Sequence, residues 1–175
     1  EFAGSENFKG DIIHPQKWDE NYDYSGKKVV VIGSGATAVT LVPAMADKAQ
    51  HVTMLQRSPS YVMALPQDDP MVNGLRKFLP ETWVYRITRT RNIAFASMMY
   101  NFCQTFPNAS RRLIQRLVKK EVGDDFDMKH FTPKYNPWDE RLCAVPDGDM
   151  FQVLREGKAS IVTDHIDHFT ENGIK

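Results

Sequence analysis

The feature that most constrains this chain is an uninterrupted run of β-branched residues that leads directly into a glycine-containing turn. The run covers Val29 to Ile32, and the pattern Gly-x-Gly-x-x-Ala follows at Gly33, Gly35 and Ala38. A strand, a glycine turn and the start of a helix, in this order, are typical of the phosphate-binding turn of dinucleotide-binding folds. The unbroken apolar run favours a parallel strand that is covered on both faces.

Each small residue of the turn has a physical reason to be there. Gly33 permits the tight turn, Gly35 lets the backbone approach a pyrophosphate with no Cβ in the way, and Ala38 allows close packing of helix on strand. Backbone N–H groups at the start of the helix would point at the anion, which the helix dipole also favours. The nucleotide-contacting residues predicted for this turn are Gly33, Ser34, Gly35, Ala36, Thr37 and Ala38.

The sequence on the far side of the turn supports this interpretation. Apolar residues recur with helical spacing at Val39, Val42 and Met45, and a second strand-like run covers residues 51–55. Strand, helix and strand form a βαβ unit, which we place within residues 26–70. We therefore predict an α/β fold of the Rossmann type, doubly wound around a mainly parallel sheet.

The second predicted strand is followed by Gln56, Arg57 and Ser58. NAD-binding folds place an Asp or Glu near this point, where it accepts a hydrogen bond from the ribose 2′-hydroxyl. A carboxylate would repel a 2′-phosphate, whereas the Arg57 guanidinium can bind one through its fork of N–H groups, and Ser58 adds a hydroxyl donor. The pattern predicts NADPH in preference to NADH, with all three residues in the cofactor site. The alternative is a surface arginine without a ligand.

Charge is balanced overall but not along the chain. The 22 Lys and Arg equal the 22 Asp and Glu, so net charge indicates no nucleic-acid partner. Residues 71–120 carry ten Lys or Arg and one acid, Glu81, whereas residues 121–175 carry twelve acids and six bases. We favour the interpretation that the two segments face each other or are solvated.

The cysteines and histidines indicate neither a disulfide nor a metal. Cys103 and Cys143 lie forty residues apart without metal-ligand spacing, which favours reduced thiols and a cytoplasmic location. His130, His165 and His168 lie among acids but match no metal-binding pattern, so no metal is predicted. No apolar run approaches the length needed to cross a bilayer.

Residues 71–122 are predicted to be a helical insertion. An apolar stripe runs along the first helix, and Asn108 or Ser110 is placed to cap the second, which carries Leu113, Ile114, Leu117 and Val118. We expect both stripes to pack on their own domain. The alternative is a basic amphipathic surface that binds an anionic membrane or an acidic protein. The stripe of the first helix comprises Trp83, Ile87, Ala94, Met98 and Phe102.

The rest of the chain completes the predicted nucleotide domain. Residues 66–80 and most of 123–150 have loop character, a helix is expected over 149–156, and short strands over 159–163 and 166–169. We assign residues 123–163 to the remainder of this domain and residues 164–175 to a connector. Because both ends of the chain are abrupt, we expect it to be a fragment.

Residues 1–25 read as a linker that carries an unusual spacing of residues. The spacing is Phe-x-Gly-x-x-x-His-x-x-x-Trp-Asp, with Phe8, Gly10, His14, Trp18 and Asp19. On their own, the histidine and the tryptophan would be loop packing residues. A short way upstream of Gly-Ser-Gly-Ala-Thr-Ala, however, this spacing resembles the fingerprint of the Baeyer–Villiger monooxygenases, which are class B flavin-containing enzymes.

Within that family the chain looks most similar to the ethionamide monooxygenase type, over residues 35–41, 51–59 and 135–142. The resemblance implies the NADPH-binding domain of an enzyme that uses FAD, NADPH and O₂ to oxygenate a ketone or a sulfur substrate. Residues 164–175 would then lead toward the FAD domain of the same full-length chain. The sequence alone leaves one alternative open, a Rossmann module that binds NADP(H) without catalysis.

The resemblance also implies roles for two residues. His14 belongs to the fingerprint and would act in positioning. Arg141 matches an arginine that lies near the flavin, where its charge would stabilise negative charge formed during oxygenation, although Glu140 replaces the lysine of many members. The alternative for Arg141 is a surface ion pair with Asp139 or Asp147. Since no second Gly-x-Gly turn exists in the sequence, the isolated chain is expected to bind no FAD and to be inactive.

Overall fold

The computed structural model describes residues 2–175, which divide into two compact units. The first unit comprises the described part of Glu1–Pro59 together with Val153–Lys175, and the second unit comprises Ser60–Gln152. The strands are β1 (Lys28–Ile32), β2 (His51–Gln56), β3 (Tyr61–Leu65), β4 (Leu142–Pro146), β5 (Ala159–Thr163), β6 (Phe169–Thr170) and β7 (Gly173–Ile174). The helices are α1 (Ala36–Ala46), α2 (Pro70–Leu75), α3 (Glu81–Thr105), α4 (Pro107–Val122) and α5 (Asp149–Arg155), with 3₁₀ turns at Ser5–Asn7, Pro15–Lys17 and Met128–Phe131.

The first unit contains a parallel three-stranded sheet in the order β1-β2-β5. Val29 of β1 pairs with Val52 of β2, which pairs with Ala159 of β5. Helix α1 connects β1 to β2, and its Val39 and Val42 are buried. The predicted βαβ unit, α1 and the strand at 159–163 are therefore confirmed as elements of an α/β fold.

Strand β1 is less covered than its unbroken apolar sequence predicted. Exposure alternates along the strand, and Val30 and Ile32 are each 44% exposed. Val162 of β5, which lies in register with Ile32 through Leu55, is also exposed. The expectation of a strand covered on both faces is wrong for the described part of the chain. Alternate side chains of a strand point to opposite faces of the sheet, and on the face that carries Val30, Ile32 and Val162 these side chains are exposed.

The second unit is built from a parallel strand pair and the helices of the insertion. β3 pairs with β4 in the register Tyr61↔Leu142, and α4, whose Ile114 and Val118 are buried, packs on β3. The two long helices are confirmed as α3 and α4, which meet at Phe106. In the range described here, no helix is both long enough and apolar enough to cross a membrane.

The cap predicted for α4 is wrong. Phe106 occupies the N-cap and no side chain caps the helix, whereas the Ser110 hydroxyl lies inside it and donates to the Pro107 carbonyl at 3.0 Å. Pro107 stands at the first helical position, where a missing N–H costs nothing. The proline therefore sets the start of α4, and Asn108 lies beyond the cap.

The prediction that the apolar stripe of α3 packs on its own domain is also wrong. Trp83 is 56% exposed and Met98 58% exposed, whereas the buried residues of α3 are Val84 and Cys103. The physical reason is that α4, and not α3, covers the two-stranded sheet. For α4 the prediction is correct only in part, since Leu113 and Leu117 stay exposed beside the buried residues of the same helix.

Three elements lie where loops were expected or no element was predicted. Helix α2 falls inside 66–80, β4 falls inside 123–150, and β3 was not predicted. The strand expected over 166–169 is displaced, because β6 begins at Phe169 and forms an antiparallel hairpin with β7.

Candidate nucleotide-binding site

The glycine turn leaves β1 toward α1 with the geometry that its sequence predicts. Gly33 has φ +127°, a conformation that side-chain-bearing residues rarely adopt, and its N–H donates to the Leu55 carbonyl at 2.8 Å. Gly35 is extended at the N-cap of α1 (φ −84°, ψ −177°), and the N–H of Val39 donates to its carbonyl at 3.1 Å. The turn is thus fixed to β2 on one side and opens the helix on the other.

The start of α1 is suited to an anion. The N–H groups of Ala36, Thr37 and Ala38 precede the first hydrogen bond inside the helix, so the helix offers them no carbonyl partner. This described helix has neither a capping side chain nor an acid in its first turn. Nothing on α1 itself therefore competes with a ligand phosphate for the positive end of the helix dipole.

The residues that follow β2 lie beside the glycine turn, at the edge of the sheet where the carboxyl ends of the parallel strands meet. Ile32 pairs with Leu55, and the Ser34 hydroxyl donates to the Ser58 carbonyl at 3.3 Å. The side chains of Arg57 and Ser58 are exposed, while Ser34 is buried. The structure therefore brings the phosphate turn and the candidate 2′-phosphate residues together.

Gln56 differs from its two neighbours because its side chain is buried. It is 1% exposed, and its amide nitrogen Nε2 donates to Thr163 Oγ1 at 2.9 Å. The Gln56 carbonyl accepts from the N–H of Asp164 at 3.0 Å. Gln56 thus fixes the carboxyl end of β5 beside β2. Thr163 and Asp164 were not predicted from the sequence to lie at this edge. The predicted strand that ends at residue 163 could have indicated them, because parallel strands end at the same edge of a sheet.

Part of the fingerprint segment packs on the carboxyl-terminal hairpin of the first unit. The Phe8 ring meets Phe169 edge-on at 5.8 Å, and Lys9 pairs with Glu171 at 2.5 Å. A Cβ on Gly10 would lie 2.6 Å from the Phe8 ring, so the glycine makes room for that ring. The fingerprint spacing thus has a packing role at Phe8 and Gly10.

The segment is also attached to the residue before β1. Tyr22 donates its hydroxyl hydrogen to Asp11, and Lys27 lies 3.2 Å from the same carboxylate and above the Tyr22 ring. The hydrogen bond from Tyr22 and the charge of Lys27 lower the pKa of Asp11. His14 is exposed and caps the 3₁₀ turn that follows, its Nδ1 accepting from the N–H of Gln16 at 3.3 Å. This confirms neither a catalytic nor a positioning role for His14.

Arg141 lies in the second unit, directly before β4, with an exposed side chain. Neither alternative ion pair is observed within residues 2–175. Asp139 accepts from the N–H of Asn136, and Asp147 accepts from the N–H of Gln67. Burial raises the pKa of the Cys143 thiol, and the charge of Arg141 partly offsets this effect.

The clustered histidines do not form a metal centre in the described structure. His168 pairs with its neighbour Asp167 at 3.0 Å, and burial lowers the pKa of His130. No group of three His, Cys, Asp or Glu side chains suited to a metal occurs in the part of the chain that the structure covers.

Comparison with known sequences places these features in context. The family described as flavin-binding monooxygenase-like matches residues 1–79. The chain is 56% identical to the putative FAD-containing monooxygenase MymA of Mycobacterium tuberculosis and 51% identical to the FAD-containing monooxygenase EthA of the same organism, each match covering 99% of the chain. It is 53% identical to the probable FAD-binding monooxygenase AlmA of Acinetobacter baylyi, and this match covers 100% of the chain. The chain spans about a third of each relative (36%, 36% and 35%).

Solved structures share the fold. An oxidized steroid monooxygenase bound to NADP matches 100% of the chain and 41% of its own, with a TM-score of 0.74 and 20% identity. Cyclohexanone monooxygenase from Rhodococcus sp. Phi1 bound to NADP⁺ matches 100% of the chain and 40% of its own, with a TM-score of 0.69 and 19% identity. The sequence comparisons confirm the resemblance to flavin-containing monooxygenases, and the solved structures show the shared fold.

Proposed function

We propose that this chain, which is similar in sequence to flavin-containing monooxygenases, is the NADPH-binding part of such an enzyme. The observation that carries the proposal is the arrangement of residues at the edge of the sheet formed by the carboxyl ends of β1 and β2. There the turn at Gly33 and the exposed Arg57 lie side by side, linked by the hydrogen bond from Ser34 to Ser58. These are the two groups that a 2′-phosphorylated dinucleotide requires.

In this proposal, different residues at this edge bind different parts of the cofactor. The N–H groups from Ala36 to Ala38 receive the pyrophosphate, and the small residues of the turn allow its close approach. Arg57 binds the 2′-phosphate through paired N–H donors, with Ser58 beside it. Gln56 acts through its buried hydrogen bond to Thr163, which keeps this edge in register. When bound, NADPH supplies a hydride.

The residues present do not fit FAD, since the sequence has a single Gly-x-Gly turn and that turn is assigned to NADPH. FAD, the group that supports chemistry with O₂ in such enzymes, belongs in this proposal to other parts of a longer protein. Residues 1–25 and 164–175 would be the connections to it. The longer protein would be a cytoplasmic enzyme that oxygenates a ketone or sulfur compound in Baeyer–Villiger fashion, and this chain alone would be inactive.

We extend the proposal to two side chains. Arg141 is exposed and lacks an acidic partner among the described residues, so its charge is available to stabilise an anion. In the longer enzyme it would stabilise negative charge at the oxygenation site. His14, at the cap of its 3₁₀ turn, would hold the fingerprint segment in register.

Titration of the chain with NADPH and NADH tests cofactor choice. A charge-assisted hydrogen bond contributes about 1.5–3 kcal/mol, so Arg57→Ala should weaken NADPH binding roughly ten- to hundredfold and barely affect NADH. Lys28→Ala is the matched control, because Lys28 is an exposed cation at the opposite end of β1. Equal losses for both nucleotides in Arg57→Ala would refute the role of Arg57.

A further inference from the structure

The segment that leads into Arg141 is a closed turn. The N–H of Asp139 donates to the Asn136 carbonyl at 3.0 Å, and the Asp139 carboxylate accepts from the N–H of Asn136 at 3.3 Å. Between them Trp138 has φ +72°, a conformation uncommon for a residue with a side chain. Pro137 is fully buried. The surrounding contacts therefore fix this backbone conformation against its intrinsic preference.

Two side chains from other elements hold the start of this turn at a single atom, the carbonyl oxygen of Tyr135. The hydroxyl of Tyr61, on β3, donates to it at 3.0 Å, and Nη2 of Arg111, on α4, donates to it at 3.3 Å. The same Nη2 lies 3.0 Å from Oδ1 of Asn136. Tyr61 is 1% exposed, and burial raises its pKa, so it stays a neutral hydrogen-bond donor.

Arg111 is an unusual choice for this position. Its Nε is buried and has no hydrogen-bond partner in the described structure. A buried donor left unsatisfied costs free energy. Arg111 thus makes its two hydrogen bonds through Nη2 despite the cost of an unpaired Nε.

Tyr135 carries the constraint forward to Arg141. Its hydroxyl donates to the Arg141 carbonyl at 2.9 Å, and its ring packs edge-on against Tyr61 with the centroids 5.4 Å apart. The backbone carbonyl of Tyr135 thus accepts hydrogen bonds from side chains of β3 and α4. The side chain of Tyr135 in turn donates a hydrogen bond to the backbone of Arg141.

We propose that Tyr135 is a positioning residue for Arg141, with Tyr61 and Arg111 fixing Tyr135 in turn. The inference rests on the proposed function, in which Arg141 acts at the oxygenation site. An electrostatic donor stabilises developing charge only when its position is set before the reaction. The hydrogen bonds of Tyr61, Arg111 and Tyr135 fix the backbone from which the exposed Arg141 side chain projects.

The test is Tyr135→Phe in the full-length enzyme, which removes one hydroxyl and keeps the ring. Losing one neutral hydrogen bond should lower the ratio of oxygenated product to hydrogen peroxide about two- to tenfold, with NADPH affinity and the rate of flavin reduction unchanged. The change should have no further effect in an Arg141→Ala background, because positioning matters only while the arginine is present.

Tyr100→Phe is the matched control. Tyr100 packs edge-on against Trp138 of the same turn at 6.1 Å, but its exposed hydroxyl makes no hydrogen bond within residues 2–175. A second readout needs no catalysis: amide hydrogen exchange at Leu142, the N–H of the peptide bond whose carbonyl Tyr135 holds, should be faster in Tyr135→Phe than in the control.

The outcomes distinguish the role proposed for Arg141 from the positioning role proposed for Tyr135. If Arg141→Ala forms product normally, the role proposed for Arg141 is refuted and the positioning role falls with it. If Arg141→Ala diverts reduction to hydrogen peroxide but Tyr135→Phe matches Tyr100→Phe in product ratio and exchange, only the positioning inference is overturned.

Discussion

Replacing Gly33 by alanine tests whether the phosphate-binding turn requires the backbone conformation that glycine allows. A Cβ built on Gly33 meets no atom within 4 Å, so the substitution creates no steric clash. The whole cost comes from φ +127°, and holding a non-glycine residue in such a region costs about 1–3 kcal/mol. We expect a loss of that size in the free energy of unfolding, measured by urea denaturation followed by circular dichroism.

The same substitution should weaken NADPH binding. Relief of the strain moves the turn, and with it the N–H groups of Ala36 and Thr37 that face the pyrophosphate in our proposal. Loss of one charge-assisted hydrogen bond corresponds to a roughly ten- to hundredfold weaker affinity. Isothermal titration with NADPH measures this effect.

Gly26→Ala is the matched control for Gly33→Ala. Gly26 also has a positive φ, +69°, and open space around its Cβ position, but it precedes β1 and lies outside the turn. Its substitution should cost about 1–2 kcal/mol of stability and leave NADPH affinity unchanged. If both variants lose NADPH equally, or if Gly33→Ala is as stable as the unsubstituted protein, the reasoning about the turn is wrong.

Two further predictions concern the second unit. Hydrogen bonding from Arg91 lowers the pKa of Asp69, so this pair stabilises the fold above the ordinary Asp pKa of about 3.9 and loses its effect as pH falls through the lower folded-state value. Asp69→Asn should therefore flatten the acid limb of stability against pH, and an unchanged limb would contradict this. Ile114→Ala should cost about 2–5 kcal/mol because Ile114 is buried, whereas Phe95→Ser, at an exposed position of α3, should change stability by less than about 0.5 kcal/mol. Urea denaturation measures both, and similar losses would mean that the Phe95 side chain is not exposed.

Local sequence was sufficient to predict the βαβ unit and its turn. Residues 29–38 combine strand propensity, glycine turn chemistry and helix start in one continuous stretch, and each requirement is met within a few residues. Arg57 could be placed at the same edge because parallel strands end together. The long helices α3 and α4 were predictable for the same reason, since helical periodicity is local.

Features that depend on distant partners were not predictable. The pairing of β3 with β4 joins Tyr61 to Leu142 across the whole insertion. Periodicity showed that α3 has an apolar stripe but not that α4 would occupy the available sheet. Gln56 looked like its neighbours in sequence, and only its pairing with Thr163 reveals that its side chain is buried.

The most direct test of the central claim, that NADPH binds at the edge formed by β1 and β2, is amide hydrogen exchange of this chain with and without saturating NADPH. We predict slower exchange in residues 33–38 and 57–58, with NADH giving weaker protection at 57–58. Protection confined to other residues, or none at saturation, would contradict the account.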